Sequence, residues 1–316
     1  MKMIKPSFEI LEPQGYDFIS MCKNIELCGR ICYKSEDKIT DGSAEKFVKR
    51  MVDSSHNAML EHGTVYLKIT NMIAPEYSSN SNNYADWDLY KELHNKYSHN
   101  KYSHCIEKES STLYITTNYR VIVENEWEDD LKYMCEPTDN HIKRITVKFI
   151  CDRGVTHEFV RHRVMSIAQE STRYCNYSKE KFNNEITYIC PCWLDYDKVQ
   201  ELVEIANKNN KEVYRMGHDE NLSMEERGLC SFVHDMSNHE HGYLFQISAG
   251  WKAQEARSVL PTFVKSELVM TGFVDADGWL HFFDLRALGT TGAPHPQAKE
   301  LALPLMEEFK KRGYIQ

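Results

Sequence analysis

One short segment of the chain gathers side chains that suit an anionic ligand. Arg161, His162 and Arg163 stand side by side, and Ser171 and Arg173 follow a few positions later. Arginine presents five N–H donors in a planar fork that matches phosphate, and a nearby hydroxyl can complete such a site. These residues predict a site for a phosphorylated ligand. The other interpretation of so short a cluster is a solvated basic surface.

The spacing of the triplet limits how many of its side chains can contact one ligand. Consecutive helical residues point about 100° apart, so Arg161, His162 and Arg163 cannot all face one small ligand. Residues 156–160 before the triplet have the apolar spacing of a helix, which predicts that the triplet lies near a helix end. We therefore expect the three side chains to serve at least two ligand groups, or one ligand and a neighbouring subunit.

The elements that must position these residues can be predicted from sequence periodicity. Alternation of β-branched and aromatic residues predicts strands at 64–70, 113–123 and 144–152. Apolar residues at helical spacing predict helices at 43–51, 196–215, 223–246 and 296–311. Ser223 and Glu226 have the spacing of a capping box, so the third of these helices should begin there.

Residues 71–140 are the least typical part of the chain, because their first half is polar and rich in Asn, Ser, Tyr and His. We expect an insertion at the surface that covers the site, lies at a subunit interface or has no role in function. A chain of 316 residues, 41% of them hydrophobic, can bury a sizeable core. We therefore predict a single domain, 1–316, that includes this insertion.

Charge and composition argue against several classes of protein. With 47 acidic and 38 basic residues, the formal charge of -9 opposes nonspecific binding to nucleic acid. The sequence has no apolar run near the ~20 residues that cross a bilayer and begins without a secretion signal, so we expect a cytoplasmic protein that binds no membrane.

Cysteine and histidine spacing predicts no metal site. The ten cysteines are scattered, which favours reduced thiols. Cys190 and Cys192 do not have zinc-knuckle spacing. His239 and His241 lack a matching set of ligands, so we expect solvated or capping roles for them.

The order of residues around the triplet resembles the signature of the flavin-dependent thymidylate synthases, in which Arg-His-Arg is followed by Ser, Arg and Tyr. Three further motifs are similar to elements of that family and stand in its order. They are His56-x4-Glu61-His62, Ala256-Arg257-x-x-Leu260-Pro261 and His281-Phe282-x-x-Leu285-Arg286. Four motifs in one order are difficult to explain by coincidence.

The resemblance implies a fold and an activity. The fold would be α+β, with a mostly antiparallel sheet and packed helices, assembled as a homotetramer whose sites form between subunits. The activity would be methylation of dUMP at C5 to give dTMP. The carbon would come from 5,10-methylenetetrahydrofolate, and FAD reduced by NADPH would supply the hydride. The cofactors would then carry the chemistry, while the protein supplies position and electrostatic field.

The resemblance also implies roles for individual residues. The residues at FAD would be His56, Glu61, Arg161, His162, Arg163 and His281. The residues at the nucleotide would be Gln169, Ser171, Arg173, Arg257 and Arg286, and three of them, Ser171, Arg173 and Arg257, would bind its phosphate. Arg286 and His56 would be the catalytic residues. A fixed Arg286 cation beside a uracil carbonyl would stabilise the negative charge that develops as hydride adds at C6.

Two departures from the family pattern leave other functions open. The family often has Asn-x-Arg before the position of His281, but residues 273–278 lack it and contain Asp275 and Asp277. Lys299 stands where an acidic residue is common. The loop should therefore lie elsewhere or bind a different group, because carboxylates would repel the FAD diphosphate. The alternatives are methylation or hydroxymethylation of another pyrimidine nucleotide such as dCMP, or a noncatalytic nucleotide-binding protein.

Overall fold

The computed structural model describes residues 1–71, 84–108 and 111–316. Its strands are β1 (Lys2–Ile4), β2 (Ser7–Leu11), β3 (Thr64–Asn71), β4 (Tyr84–Ala85), β5 (His104–Lys108), β6 (Thr112–Asn118), β7 (Arg144–Asp152), β8 (Ser166–Gln169), β9 (Thr187–Ile189) and β10 (Lys265–Phe273). Its α-helices are α1 (Phe18–Tyr33), α2 (Ser43–Asp53), α3 (Trp87–Ser98), α4 (Tyr119–Glu124), α5 (Arg153–Phe159), α6 (Tyr196–Met216), α7 (Met224–Ser248), α8 (Ala253–Ala256), α9 (Trp279–Phe283) and α10 (Pro296–Lys311). Short 3₁₀ turns lie at Glu36–Lys38, Asn57–His62, Glu128–Tyr133, Glu180–Phe182 and Arg257–Val259, and a π turn lies at Asp284–Leu288.

The strands form two four-stranded sheets and one small pair. The first sheet has the order β2-β7-β10-β8 and is antiparallel throughout. The second has the order β4-β3-β6-β5 and is antiparallel except where β4 joins β3. β1 and β9 pair in parallel. The predicted fold class, mostly antiparallel strands with packed helices, is confirmed, although the strands divide between two larger sheets.

Helix α1 packs against both four-stranded sheets. Met21 and Ile25 lie in the core beneath β3 and β6, whereas Cys28 and Ile31 pack against Ala168 of β8. A helix that buries more than one face needs apolar residues around much of its circumference, and α1 has them. This helix therefore connects the core of one sheet to that of the other.

A second core lies between the first sheet and helices α5, α9 and α10. Its aromatic centre contains Phe149, Phe159, Trp279, Phe282 and Phe309, all of them almost fully buried. Such clustered rings contribute heavily to packing. The core fixes α5 and α9 against the sheet, and both helices lead directly into candidate site residues. A third core holds α6 and α7 against β9.

The expectation that residues 71–140 lie at the surface is wrong for part of the tract that the structure describes, although other residues there, such as Trp87 and Tyr102, are exposed. Leu93 and Tyr97 of α3 and Leu113 and Ile115 of β6 are fully buried in the core beneath β3. The polar composition concealed an apolar stripe on α3, where Tyr90, Leu93 and Tyr97 recur at helical spacing. Residues 72–83 and 109–110 of this tract lie outside the described residues. Within the described ranges, no helix has the length and apolar character needed to span a membrane.

One predicted strand is too long, and most other predicted elements are confirmed. The strand predicted at 113–123 ends at Asn118, whose side-chain oxygen accepts a hydrogen bond from Val121 N at 3.2 Å and caps α4. The predicted strands at 64–70 and 144–152 and the four predicted helices are present to within about two residues. The capping box of Ser223 and Glu226 also forms.

His62 connects the 3₁₀ turn Asn57–His62 to the first sheet. Its Nδ1 lies 2.8 Å from Oγ1 of Thr271, which in turn lies 2.9 Å from Oγ1 of Thr146. Burial, followed by the nearby Arg144 cation, lowers the pKa of His62 to about 3. The imidazole is therefore neutral at physiological pH.

The pH dependence of stability tests the neutral state of His62. An unfolded histidine has a pKa of about 6.5, so as the pH falls the unfolded chain binds this proton well before the folded chain does. The stability due to neutral His62 is complete above about pH 6.5 and is lost toward pH 3, at up to about 1.4 kcal/mol per pH unit. We expect His62→Gln to reduce the pH slope of the urea-unfolding free energy by nearly that amount between about pH 6 and pH 5.

The exposed His241 provides the matched control. His241→Gln should leave the slope close to that of the unmodified chain. A His62→Gln slope equal to that of the control would contradict the neutral, buried state of His62.

Candidate functional site

The Arg-His-Arg triplet lies just beyond the end of α5, as predicted. His162 is buried, whereas Arg161 and Arg163 are exposed. The backbone turns tightly here, since His162 N donates to Phe159 O and Met165 N donates to His162 O. His162 therefore points into the protein, whereas both arginines face solvent, so the three side chains do not share one environment.

His162 and Arg286 meet inside the protein. Nε of Arg286 donates to Nε2 of His162 at 3.2 Å, and the ring of His281 lies 5.7 Å from the His162 ring. Burial, followed by the Arg286 cation, lowers the pKa of His162 to about 4, so the ring is neutral and can accept this hydrogen bond. Nδ1 of His162 then carries the proton and, in the described part of the chain, has no hydrogen-bond partner.

Glu158 fixes the position of the Arg286 guanidinium. NH1 of Arg286 lies 2.6 Å from Oε2 of Glu158, and NH2 donates to the Glu158 carbonyl oxygen at 2.9 Å. No sequence motif marks Glu158, although it stands one helical turn before His162. Arg286 itself lies in the π turn Asp284–Leu288, an irregularity that is frequent at functional sites.

The residues that the resemblance assigns to the nucleotide do not all meet within this chain: Gln169 contacts Thr156, whereas Arg257 contacts Thr172. Gln169 faces helix α5, where its Nε2 donates to Thr156 Oγ1 at 2.8 Å. Arg257 lies near the signature, because its NH1 donates to Thr172 Oγ1 at 3.1 Å. Ser171 is half-buried and Arg173 is exposed. Within this one chain the structure thus joins Arg257 to the signature segment and leaves Arg173 facing outward.

The first motif forms a separate group around the turn Asn57–His62. His56 lines an open cavity of about 430 Å³ that also contains Arg120. NH1 of Arg120 lies 2.6 Å from Oε1 of Glu61, so this carboxylate is paired. Arg120 follows β6 in the tract that we expected to be an insertion, and the sequence analysis gave it no role.

Arg144 joins the first motif to the signature. Its NH1 donates to the Glu61 carbonyl oxygen at 3.0 Å, and its NH2 donates to Ser166 Oγ at 3.0 Å. Arg144 is only 7% exposed, and burial lowers its pKa to about 10, which still leaves the cation protonated at neutral pH. The sequence predicted the strand that contains Arg144 but gave no indication of this bridging role.

Helix α5 separates two cavities of different charge. The larger, of about 820 Å³, is bordered by Asp152, Glu158 and Glu226 and by apolar side chains such as Phe232. The smaller, of about 320 Å³, is bordered by the guanidiniums of Arg153 and Arg257, the imidazole of His157 and the hydroxyl of Thr172, and by apolar side chains such as Leu260. The Glu158 carboxylate that fixes Arg286 thus borders the larger cavity, and Arg257 borders the smaller.

In the acidic loop at residues 273–278, hydrogen bonds to nearby groups occupy the carboxylate of Asp275. Oδ1 of Asp275 accepts hydrogen bonds from Asp277 N and Gly278 N, and its Oδ2 lies 2.8 Å from Nε2 of His104. The carboxylate is therefore occupied by its own turn and by β5. Asp277 is exposed.

The described residues contain no group of three or more His, Cys, Asp or Glu side chains arranged to hold a metal ion. Cys190 is buried and Cys192 exposed, and both are free thiols. Burial raises the pKa of Cys175 to about 12, as for an unreactive core thiol. Glu240, next to the two histidines considered above, instead binds the amino group of Met1 at 2.9 Å.

Comparison with known proteins identifies relatives of the chain. It is 28% identical over 162 residues to the flavin-dependent thymidylate synthase of Pyrococcus abyssi, and the alignment covers 51% of this chain and 52% of the relative. It is also 28% identical over 161 residues to the enzyme of that name from Corynebacterium diphtheriae, covering 51% and 54%. The chain therefore spans about half the length of these relatives in each match.

A crystal structure of the UMP/dUMP methylase PolB from Streptomyces cacaoi bound with 5-Br dUMP aligns with 98% of this chain and 93% of its own. The sequence identity is 14% and the TM-score 0.40. The profile of the family Thy1, described as thymidylate synthase complementing protein, matches residues 140–312. That segment includes the signature, Arg257, His281 and Arg286, whereas His56 and Glu61 precede it. Because the match covers more than half of the sequence, the chain belongs to the thymidylate synthase complementing protein family.

Proposed function

We propose that this protein is a flavin-dependent thymidylate synthase that converts dUMP to dTMP. The methylene carbon of 5,10-methylenetetrahydrofolate would be transferred to C5, the C5 hydrogen would leave as a proton, and the hydride that adds at C6 would provide the two electrons that reduce the methylene to methyl. NADPH would be oxidised to NADP⁺, and tetrahydrofolate would be released. Bound FAD would supply the hydride that it receives from NADPH.

The observation that carries the proposal is the fixed Arg286 cation beside neutral His162, within the segment that the family profile matches. Hydrogen bonds to Glu158 and His162 engage three of the five N–H donors of Arg286, counted over the residues that the structure describes. Two donors are left for a ligand carbonyl. A cation held in place before reaction can stabilise developing negative charge without reorganisation.

The residues proposed for FAD have the chemistry that a dinucleotide requires. Arg161 and Arg163 are exposed and form no ion pair within the described ranges, so both guanidiniums are available for phosphate. Nδ1–H of His162 is a buried donor that still needs an acceptor. His281 lies beside His162, while His56 and Glu61 lie on the turn that Arg144 links to the signature.

We also propose a homotetramer with sites between subunits, supported by the outward direction of Arg161, Arg163 and Arg173. Tyr174, next to Arg173, is 59% exposed, which is unusual for a large aromatic side chain and suits a subunit contact. Within the chain we propose one domain, because α1 packs against both sheets.

Hydrogen release from C5 tests the reaction directly. With FAD, NADPH and methylenetetrahydrofolate present, we expect release of tritium from C5-labelled dUMP and formation of dTMP, with labelled dCMP unreactive in parallel. Release from dCMP, or a hydroxymethyl product, would assign the related chemistry instead. Bound FAD and dUMP without release would indicate a noncatalytic nucleotide-binding protein.

The role of Arg286 predicts a larger effect on turnover than on binding. We expect Arg286→Ala to lower turnover by about 10²–10³-fold, because it removes a charge that acts in the transition state. The dissociation constant of dUMP should rise less than about tenfold, since such an interaction adds little to ground-state binding. Equal losses in single-turnover rate and in equilibrium binding would exclude this role. Exposed Arg215→Ala is the matched control.

A double-mutant cycle tests whether Glu158 acts through Arg286. Glu158→Gln keeps the shape of the side chain but removes its charge, so Arg286 should lose its fixed orientation and turnover should fall about tenfold or more. In the Arg286→Ala background the same change should have little further effect on turnover, because the partner is already absent. Additive losses would show that Glu158 acts independently of Arg286.

A further inference from the structure

The cavity of about 320 Å³ on one side of α5 is lined by Arg257 and by two further residues that no sequence motif marked, Arg153 and His157. Arg153 and His157 are four residues apart on α5 and therefore lie on the same face of the helix. Across the cavity are Arg257 and Thr172. Two guanidiniums, an imidazole and a hydroxyl thus border one space.

The electrostatics of this cavity are unbalanced. None of its lining residues is acidic, and within the described ranges no carboxylate forms an ion pair with Arg153, His157 or Arg257. The cavity on the other side of α5 is bordered by several carboxylates, including Asp152 and Glu158. Like charges gathered in a recess repel one another unless an anion neutralises them. The smaller cavity therefore favours an anionic ligand.

The hydrogen-bonding groups point to an oxyanion in particular. NH1 of Arg153 is buried and has no hydrogen-bond partner among the described residues. Thr172 Oγ1 accepts a bond from NH1 of Arg257 at 3.1 Å, which leaves its own hydroxyl proton free to donate to a ligand. A buried donor without an acceptor is costly, so a ligand oxygen that reached NH1 of Arg153 would remove that cost.

We propose that Arg153 and His157, together with Arg257 and Thr172, bind a phosphate group of a nucleotide ligand. This proposal rests on the proposed function, in which Arg257 contacts the dUMP phosphate, and it adds Arg153 and His157 to that contact. Phosphate suits the site because guanidinium forks bind its oxygens through charge-assisted hydrogen bonds. The flavin dinucleotide carries the same phosphate chemistry, so the experiment must separate the two sources.

Calorimetric binding of matched ligand pairs tests the site in the 316-residue chain. We expect Arg153→Gln to weaken dUMP binding by about tenfold or more and to leave binding of deoxyuridine, which lacks the phosphate, unchanged. His157→Gln should have a smaller effect in the same direction. Arg153→Lys, which retains the charge, should recover part of the affinity, and exposed Arg215→Gln should bind as the unmodified protein does.

Two further arms identify the source of the phosphate and separate this proposal from the proposed function. If Arg153→Gln weakens FAD but not riboflavin binding, and leaves dUMP binding intact, the anion site is retained and belongs to the flavin. Inorganic phosphate should raise the thermal unfolding temperature of the unmodified protein, at constant ionic strength, more than that of Arg153→Gln.

If the protein binds no nucleotide but inorganic phosphate still stabilises it more than it stabilises Arg153→Gln, the proposed function is refuted and the anion site is supported. Equal affinities of Arg153→Gln and the unmodified protein for dUMP, FAD and phosphate would overturn the inference. Thermal unfolding of each variant without ligand shows whether it is folded.

Discussion

The buried guanidinium of Arg144 is the contact on which the arrangement of the site depends. A charge taken out of water is tolerated only if hydrogen bonds replace its hydration. Two nitrogens of Arg144 meet this condition with the Glu61 carbonyl, Thr64 Oγ1 and Ser166 Oγ, while its Nε has no partner among the described residues. These partners belong to the first motif, to β3 of the second sheet and to β8 of the first sheet. The need to solvate one cation therefore brings motifs about 100 residues apart into fixed relation.

A second buried network fixes the other end of the signature. Nζ of Lys265 lies 2.8 Å from Glu170 and 2.6 Å from Glu267, and Nζ of Lys34 lies 2.9 Å from Glu267. Replacing a buried ion pair with apolar residues is often harmless, but removing one partner alone costs about 3–5 kcal/mol. The network therefore contributes position more than net stability. It holds the end of α1 beside the segment that contains Ser171, whose amide also donates to the Cys32 carbonyl.

Helix α5 gives the site its division of charge. Because residues four apart share a helix face, Arg153 and His157 border one cavity, while Gly154 and Glu158 border the other. Glu158 then orients the Arg286 cation at the edge of the acidic cavity, and no carboxylate borders the smaller cavity. One short helix thus separates a region suited to phosphate from the cluster proposed to act on the base.

The sequence by itself determined the elements with a strong local pattern. Alternation predicted β3 and β7, apolar periodicity predicted α6, α7 and α10, and the capping box predicted where α7 begins. Prediction from sequence was wrong where the local pattern was weak, or where a polar composition suggested a surface segment. Asn118 ends a strand by capping a helix, and α3 hides a buried stripe in a polar tract.

For the proposed site, the motifs selected Arg257 and Arg286 as candidates and predicted that the Arg-His-Arg triplet would lie near a helix end. Only the tertiary structure decided which groups meet, because Glu158 reaches Arg286 across 128 positions of sequence, Arg144 joins two sheets, and Arg153 shares a cavity with Arg257. The physical reason is that charges and polar groups excluded from water must find partners in space. Those partners are set by how sheets and helices pack and leave no periodic trace in the sequence.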